Sequence, residues 1–450
     1  MAKKMSMREN NIPLSQFGVL VAQLESIVNS AAHKSPDPLL CFDLLSDLIS
    51  AIHDEPKESI MLWQRKCEDA LYSLLVMGAR RPVRHLASEY VRKEALHMLQ
   101  NAMEGCGGSA AATAYTEAFR LIMRVGVVDK SSIVRIAAAR CLKTFANVGG
   151  PGLGAAELDS SASTCAFNDP VSSVRDAFAE ALGAVLALGM NPDAQVQLRG
   201  KGHLASAKKL EDGLQKHLVS PFVKACGVRS RDVRICLTLA WVSFLQAILL
   251  KYAHPDTELQ DFTSQVMDML RVDTSIDAQA LACVLYILRV GLVDQMTEPT
   301  QRSFIAILGK QLQSPDSSSP MKVAALRTLS YTLKTLGEVP TEFREVLDDT
   351  VVAALSNSSQ MVRVEAALTL RALAEVDPTC VSGLVSYGVT MLTALRESVA
   401  FDKGNSFKVD LDSLHGQATL LAALVSILPK LPLGYPARLP SQCLKFPRKC

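Results

Sequence analysis

The chain has 450 residues, of which 49% are hydrophobic and only 5% aromatic, and Ala and Leu supply most of the apolar side chains. This composition is typical of helix packing and argues against a β-sandwich, which needs Val, Ile, Thr and aromatic residues in alternating runs. The 47 Lys and Arg residues nearly balance the 45 Asp and Glu residues, so the basic excess of a dedicated nucleic-acid-binding protein is absent.

The two ends of the chain and its longest apolar stretches carry no membrane signal. Residues 1–36 form a lead segment whose lysines are not followed by the apolar core of a signal peptide. The apolar stretches 237–250 and 280–288 are shorter than the ~18 to 20 residues that a membrane span needs. We therefore expect no transmembrane span, and peripheral membrane association stays open.

Apolar residues recur at helical spacing through residues 37–429, the predicted repeat region. Residues 190–213 interrupt this pattern as a polar inserted loop, and residues 430–450 form an irregular tail. The spacing predicts helices over 37–53, 59–79, 82–104, 110–128, 131–148, 171–186, 214–227, 231–252, 258–272, 275–293, 298–314, 320–337, 341–357, 358–377, 379–401 and 411–429.

One sequence motif, called a phrase here, recurs along the chain. NDPVSSVRDAFAEALGAV (168–185) resembles DKSSIVRIAAARCL (129–142) and NSSQMVRVEAALTL (357–370). Successive phrases are 40 to 45 residues apart, except for one interval of 59 that holds the inserted loop. Two helices per unit at this period predict an all-α solenoid of HEAT or armadillo type, built from stacked antiparallel helix pairs. The equivalent positions are Arg92, Arg135, Arg175, Arg234, Gln279, Lys322 and Arg363.

Five of these seven phrases carry an acid or its amide six residues before the equivalent position. Such a residue can cap the unpaired amides where the second helix begins, and an arginine fork can bridge to the acid of its own or the next repeat. The Arg234 phrase departs, because Val228 stands where the acid would be. The predicted repeat ladder consists of Asp129, Arg135, Asp169, Arg175, Asp273, Gln279, Asp316, Lys322, Asn357 and Arg363.

Residues that could carry chemistry form no recognisable site. The glycine-rich stretches 105–110 and 149–156 follow helices rather than strands, so they predict helix ends instead of dinucleotide loops. The eight histidines and eleven cysteines show no metal-binding spacing, and the scattered thiols favour a reducing cytosol. We expect no catalytic residues, no metal and no cofactor.

The inserted loop is the one candidate contact site outside the ladder. An exposed basic loop on a neutral solenoid could touch an acidic peptide, phospholipid head groups or phosphate. The alternative is a solvated loop without a partner. Its basic residues include Arg199, Lys201, Lys208 and Lys209.

The amino-acid sequences of several segments resemble those of the plant Sweetie branch of the HEAT-repeat-containing protein 5 family. The resemblance covers about residues 8–437 and departs at 85–96, where the family has further repeat sequence, and at 440–450. Because family members are much longer, the chain resembles an N-terminal portion, as in a truncated or alternatively spliced product. The segments that carry the resemblance include PLSQFGVLVAQLESIV (13–28), SPDPLLCFDLLSDLISAI (35–52), LWQRKCEDALYSLL (62–75), ARRPVRHLAS (79–88) and DAQALACVLYIL (277–288).

The resemblance implies a non-enzymatic cytosolic scaffold that works with a clathrin adaptor complex and its accessory proteins. It would lie peripherally at the trans-Golgi network, endosomes or endocytic vesicles, where it would serve protein sorting, endocytosis and retrograde transport. Two alternatives stay open: a HEAT-repeat cargo receptor, or a regulatory scaffold of a phosphatase or kinase with an indirect effect on carbohydrate metabolism. A receptor for basic cargo would need acidic runs on its binding face, and the sequence shows none.

Overall fold

The structure is a computed structural model of the chain. It describes residues 128–149, 169–188, 213–225, 230–251, 255–270, 277–398 and 404–431, and single residues between 89 and 123. The predictions for the lead segment 1–36, most of the inserted loop and the tail beyond residue 431 lie outside the described residues. So do the predicted site residues Arg199, Lys201, Lys208, Lys209 and Asp273.

Every regular element in the described ranges is helical, which confirms the all-α fold class. Most helix ends fall within a few residues of the predicted ones, but the last helix begins earlier than the predicted Leu411, at the polar residues before it. The helices are α1 (Ser132–Asn147), α2 (Ser172–Leu188), α3 (Ser220–Lys224), α4 (Ser230–Lys251), α5 (Pro255–Asp268), α6 (Ala278–Tyr286), α7 (Glu298–Gln313), α8 (Ser319–Leu336), α9 (Thr341–Val346), α10 (Gln360–Val376), α11 (Val381–Ser398) and α12 (Gly404–Ile427).

Several helices continue into tighter or wider turns. Helix α6 runs on through a π turn at Ile287–Leu292 and a 3-10 turn at Val293–Gln295. Helix α9 does the same through Leu347–Val352 and Ala353–Ser356. These continuations bring the end of α6 close to the start of α7 and the end of α9 close to the start of α10, so the connections stay short.

The chain divides into two compact units. The first unit comprises Met1–Leu218 with Ile235–Tyr252, and the second comprises Val219–Arg234 with Ala253–Cys450. The predicted single repeat region 37–429 stays a prediction.

In the first unit, α1 packs against α2 through one apolar face of each helix. Val134, Cys141 and Phe145 are fully buried on α1, at positions that recur at helical spacing. On α2, Gly183 lies so close to α4 that an added Cβ would meet the carbonyl oxygen of Ala240 and stand 2.7 Å from the amide nitrogen of Phe244. Only glycine permits this approach of two backbones.

In the second unit, helix pairs stack in two layers. Helices α5, α7 and α9 form the first layer, and α6, α8, α10 and α12 form the second, with α11 paired to α12. Apolar residues between the layers, such as Phe304 of α7 and Leu326 of α8, are fully buried, and each such side chain contributes about 1.5 to 3 kcal/mol. This arrangement is an α-solenoid of HEAT or armadillo type.

A glycine again permits a close crossing in the second unit. An added Cβ at Gly416 of α12 would overlap the carbonyl oxygen of Leu355, in the 3-10 turn that leads to α10. The last helix therefore reaches the backbone of the preceding pair directly.

Three helical stretches are long and apolar enough to cross a membrane by length and composition: Ala278–Gln295, Pro378–Arg396 and Asp410–Lys430. The expectation that 280–288 is too short was wrong, because its π and 3-10 turns extend the helix. All three stretches pack against other helices of the second unit in this structure.

Candidate functional site

The repeat ladder in the first unit centres on Arg135, which ties its own turn to the next repeat. Its guanidinium donates to the carbonyl oxygens of Asp129 at 2.8 Å and Lys130 at 3.0 Å. The same group binds Asp169 through both carboxylate oxygens, at 2.6 and 3.0 Å. Both side chains of this ion pair are only 11% exposed. A bidentate pair at this burial fixes the distance and angle between two consecutive repeats.

The acids of the ladder also hold the turns directly before the second helices, but they do not form the predicted N-cap, because Ser131 at the N-cap of α1 has no side-chain capping bond. The carboxylate of Asp129 accepts from the amide of Ser131 at 2.8 Å, and that of Asp169 accepts from the amide of Val171 at 2.9 Å. Arg175 then donates to the carbonyl oxygen of Asp169 at 2.8 Å. Asp169 thus serves its own helix and the preceding repeat at once.

The same geometry returns at Arg363 in the second unit. Its guanidinium donates to the carbonyl oxygens of Asn357 at 2.7 Å and Ser358 at 3.1 Å. It also binds the carboxylate of Asp412 at 2.8 Å and Nδ1 of His415 at 3.2 Å. Asp412 and His415 belong to α12, so this arginine also reaches the next pair. The side chain of Asn357 caps the turn at the amide of Ser359.

The predicted pair of Asp273 and Gln279 stays a prediction, because Asp273 lies outside the described residues. The residue that caps α6 is Asp277, which accepts from the amides of Gln279 at 2.9 Å and Ala280 at 3.1 Å. Asp277 also forms an ion pair with Arg234, the arginine whose phrase lacks an acid. The signal was present in the sequence, since an acid directly before an apolar run is a helix-start signature.

The contacts of Asp277 lower the pKa of its carboxyl group. Partial burial opposes its ionisation, but hydrogen bonds from Ala280, Arg234 and Gln279 outweigh that effect. The pKa of Asp277 therefore lies below its ordinary value of 3.8.

The pair predicted at Asp316 and Lys322 does not form, so this prediction was wrong. Among the described residues no side-chain partner is found for either, and Asp316 is exposed. Instead Ser318 caps α8 by accepting from the amide of Met321 at 3.4 Å, and a proline stands in the first turn. A hydroxyl at the N-cap fulfils the capping role without a charge, so no arginine is drawn to this turn.

The sequence pattern of the ladder does not include further ties between repeats, because these lie in mid-helix. Arg327 of α8 binds Glu365 of α10 at 2.6 Å, and the side chain of Glu365 is only 5% exposed. Lys334 of α8 binds Glu375 of α10 at 2.6 Å. Opposite charges one repeat apart are the signal that could have found them, but helix surfaces carry many such coincidences.

The buried thiols show no activation. Cys141, Cys236 and Cys283 are buried free cysteines, and burial raises the pKa of Cys141 far above its usual range. Burial, with the nearby Asp377, also raises the pKa of Cys380 to about 11. Since the thiolate is the reactive form, these groups act as packing residues. Within the described ranges, no cluster of three or more His, Cys, Asp or Glu side chains could hold a metal ion.

Comparison with known proteins identifies the chain. It is 58% identical to "Protein SWEETIE" of Arabidopsis thaliana in an alignment that covers 98% of this chain. The chain is a plant Sweetie-like protein. It spans about 23% of the length of that relative, and the alignment extends over 516 positions, more than the length of this chain. The Sweetie relative therefore has additional residues within the aligned region, while the expected place of the missing repeat sequence, near 85–96, stays a prediction.

Two other comparisons complete the picture. No protein-family model matches the Sweetie-like chain, so membership of the wider HEAT-repeat-containing protein 5 family stays a prediction. Among solved structures, a crystal structure of importin beta is similar with a TM-score of 0.41 and 14% identity. That similarity covers 92% of this chain and 54% of the importin beta chain.

Proposed function

We propose that this chain is a non-enzymatic scaffold in cytosolic vesicle trafficking, acting in protein sorting between endosomes and the trans-Golgi network. The scaffold role is supported by the partners of three arginine side chains. Arg135, Arg234 and Arg363 each bind across to another helix pair instead of converging on a pocket. Such ties hold helix pairs in register, and stacked pairs offer extended surfaces to protein partners.

The trafficking role is supported by the resemblance of the chain to the HEAT-repeat-containing protein 5 family. The partner expected on that basis is a clathrin adaptor complex with its accessory proteins. Membrane association would then be peripheral, at the trans-Golgi network, endosomes or endocytic vesicles, and would depend on the adaptor.

Affinity purification from plant cells tests the proposal. The tagged chain and the tag alone would be expressed side by side, and bound proteins would be quantified by mass spectrometry. We expect clathrin adaptor subunits to be enriched with the chain. Recovery of phosphatase or kinase catalytic subunits without adaptor subunits would instead establish the regulatory-scaffold alternative, with its indirect effect on carbohydrate metabolism.

Imaging gives a second, independent readout. The fluorescent chain should coincide with trans-Golgi and endosome markers, and a dominant-negative clathrin adaptor should disperse it into the cytosol. Accumulation in the nucleus together with recovered nuclear cargo would favour the cargo-receptor alternative and contradict the proposal.

A further inference from the structure

Charge is segregated between the two layers of the second unit. Three second-layer helices, α6 with its π and 3-10 turns, α8 and α10, carry six basic residues and three acidic ones, while α12 carries one basic residue and two acidic ones. The first-layer helices α7 and α9, with the turns that follow α9, carry three basic residues and five acidic ones. In α6, α8 and α10 these residues are Arg289, Lys322, Arg327, Lys334, Arg363 and Arg371 against Asp294, Glu365 and Glu375. The first-layer residues are Arg302, Lys310 and Arg344 against Glu298, Glu342, Glu345, Asp348 and Asp349.

The second-layer charges are not fully compensated. Arg327 pairs with Glu365, whereas Lys334 and Arg371 share the single carboxylate of Glu375. Burial opposes ionisation of Glu375, but the hydrogen bonds from both cations outweigh it, so its pKa lies below the ordinary value. Within the described part of the chain, Arg289 lies within ion-pair distance of no acid.

Arg289 is nevertheless held in place. Its guanidinium carbon lies 4.4 Å from the ring centroid of Tyr331 on α8, and the Tyr331 hydroxyl donates to Asp294 at 2.6 Å. This contact with an anchored ring orients the guanidinium and leaves its N–H donors available to a ligand. An exposed arginine that is oriented in this way is suited to bind a carboxylate through two parallel hydrogen bonds.

Exposed apolar side chains lie beside these cations. Tyr286, three residues before Arg289, is 46% exposed, and Leu368, three residues before Arg371, is 38% exposed. Residues three apart on a helix are surface neighbours. The Arg289–Tyr331 stack and the Lys334–Glu375 ion pair show that the three helix faces adjoin. We name this the basic aromatic surface, defined by Tyr286, Arg289, Tyr331, Lys334, Leu368 and Arg371.

We propose that the basic aromatic surface binds an acidic segment of a partner protein in which carboxylates alternate with aromatic or aliphatic side chains. Arg289 takes a carboxylate, while Tyr286 and Leu368 cover the apolar side chains next to it. Lys334 and Arg371, which share one carboxylate, supply the charge for a second acidic residue. The proposal rests on the scaffold function above and adds the chemistry of one partner.

Fluorescence anisotropy with the full chain tests this surface. The probe is a short fluorescein-labelled peptide that repeats Glu-Glu-Leu-Tyr, and its counterpart carries Gln in place of Glu. We expect the acidic peptide to bind and Arg289→Gln to weaken binding about tenfold, as the loss of charge-assisted hydrogen bonds predicts. Lys310→Gln on α7 removes the same charge from the first layer and should change binding by less than about twofold.

Further variants keep the test decisive. Arg289→Lys retains the charge without the planar fork and should still weaken binding severalfold. Tyr286→Ala should weaken the binding of both peptides. Circular dichroism would verify that each variant is folded. Equal binding of the Gln peptide, or equal weakening by Lys310→Gln, would overturn the proposal.

The test must also distinguish an acidic peptide from a lipid surface as the partner. Binding of phosphatidylserine vesicles that Arg289→Gln abolishes, without any peptide binding, would assign the surface to membranes and overturn the proposal. Adaptor recovery that persists in Arg289→Gln, with no peptide binding, would overturn this partner chemistry while leaving the trafficking function intact.

Discussion

The turn before α10 and the turn before α8 begin neighbouring second-layer helices by different means. Before α10, Asn357 caps the turn, and Arg363 ties two turn carbonyls to Asp412 of the next pair. Before α8, Ser318 caps the helix and donates one long hydrogen bond, of 3.3 Å, to the carbonyl oxygen of Leu270, while the exposed Asp316 takes no part. The arginine-tied turn therefore joins consecutive repeats through an ion pair, whereas the serine-capped turn caps its helix and reaches another repeat only through one long hydrogen bond between neutral groups.

The difference has an energetic consequence. A cap is local, so its loss affects one helix end, whereas a buried arginine tie leaves a charge without its partner when either residue is removed. Repeats with an arginine-tied turn should therefore respond more strongly to substitution than the repeat that begins at α8.

The largest effect is expected at Asp169. Asp169→Ala should lower the free energy of unfolding by about 4 kcal/mol, because it leaves the buried guanidinium of Arg135 without its carboxylate and removes the hydrogen bond that holds the turn before α2. Urea denaturation followed by circular dichroism measures this. Asp169→Asn keeps the side-chain oxygen that accepts from the amide of Val171 and should lose less stability. Equal losses of stability in the two variants would contradict the two roles of Asp169.

Arg363→Met should have the next largest effect, about 3 kcal/mol, because it removes four hydrogen bonds and leaves Asp412 partly buried without its cation. The matched control is Arg371→Met on the same helix, whose side chain is 33% exposed and bonds only to Glu375. An exposed pair of this kind is worth about 0.5 kcal/mol. Similar losses of stability in the two variants would show that the contacts of Arg363 stabilise the protein no more than those of an exposed arginine.

Ser318→Ala tests the serine-capped turn and should cost about 1 kcal/mol, the usual value of an N-cap. Asp316→Ala, two residues earlier, should leave the unfolding midpoint unchanged. A loss at Asp316 comparable to that at Asp169 would restore the original ladder assignment and break the distinction between the two kinds of turn.

The smallest effect is a pH dependence at Asp277. Because the folded-state pKa of this carboxyl lies below 3.8, its ion pair contributes stability above that pH and loses it as the pH falls through the folded-state pKa. Asp277→Asn should therefore differ most from the parent chain above pH 3.8, and the difference should shrink in acid. The difference caused by Ser318→Ala should stay constant over the same range, since no charge is involved.

Residue patterns alone predicted the repeat period, most helix ends and the arginine ties at Arg135 and Arg363. These features are local, because apolar spacing and a capping acid act within a few residues of each other. The same pattern missed the cap of α6 at Asp277. The alignment followed a constant spacing from the basic position, whereas the cap formed at the acid nearest the apolar run, Asp277.

The amino-acid sequence by itself determined that this protein is a stack of helix pairs, since a helix with one apolar face must bury it against neighbours. Only the tertiary structure decided which charges meet. Arg234 reaches Asp277, Arg363 reaches Asp412, and Arg289 stacks on Tyr331 with no acid of the described residues beside it. These contacts join residues about one repeat or more apart, and their partners depend on how each helix is rotated and shifted when the pairs pack.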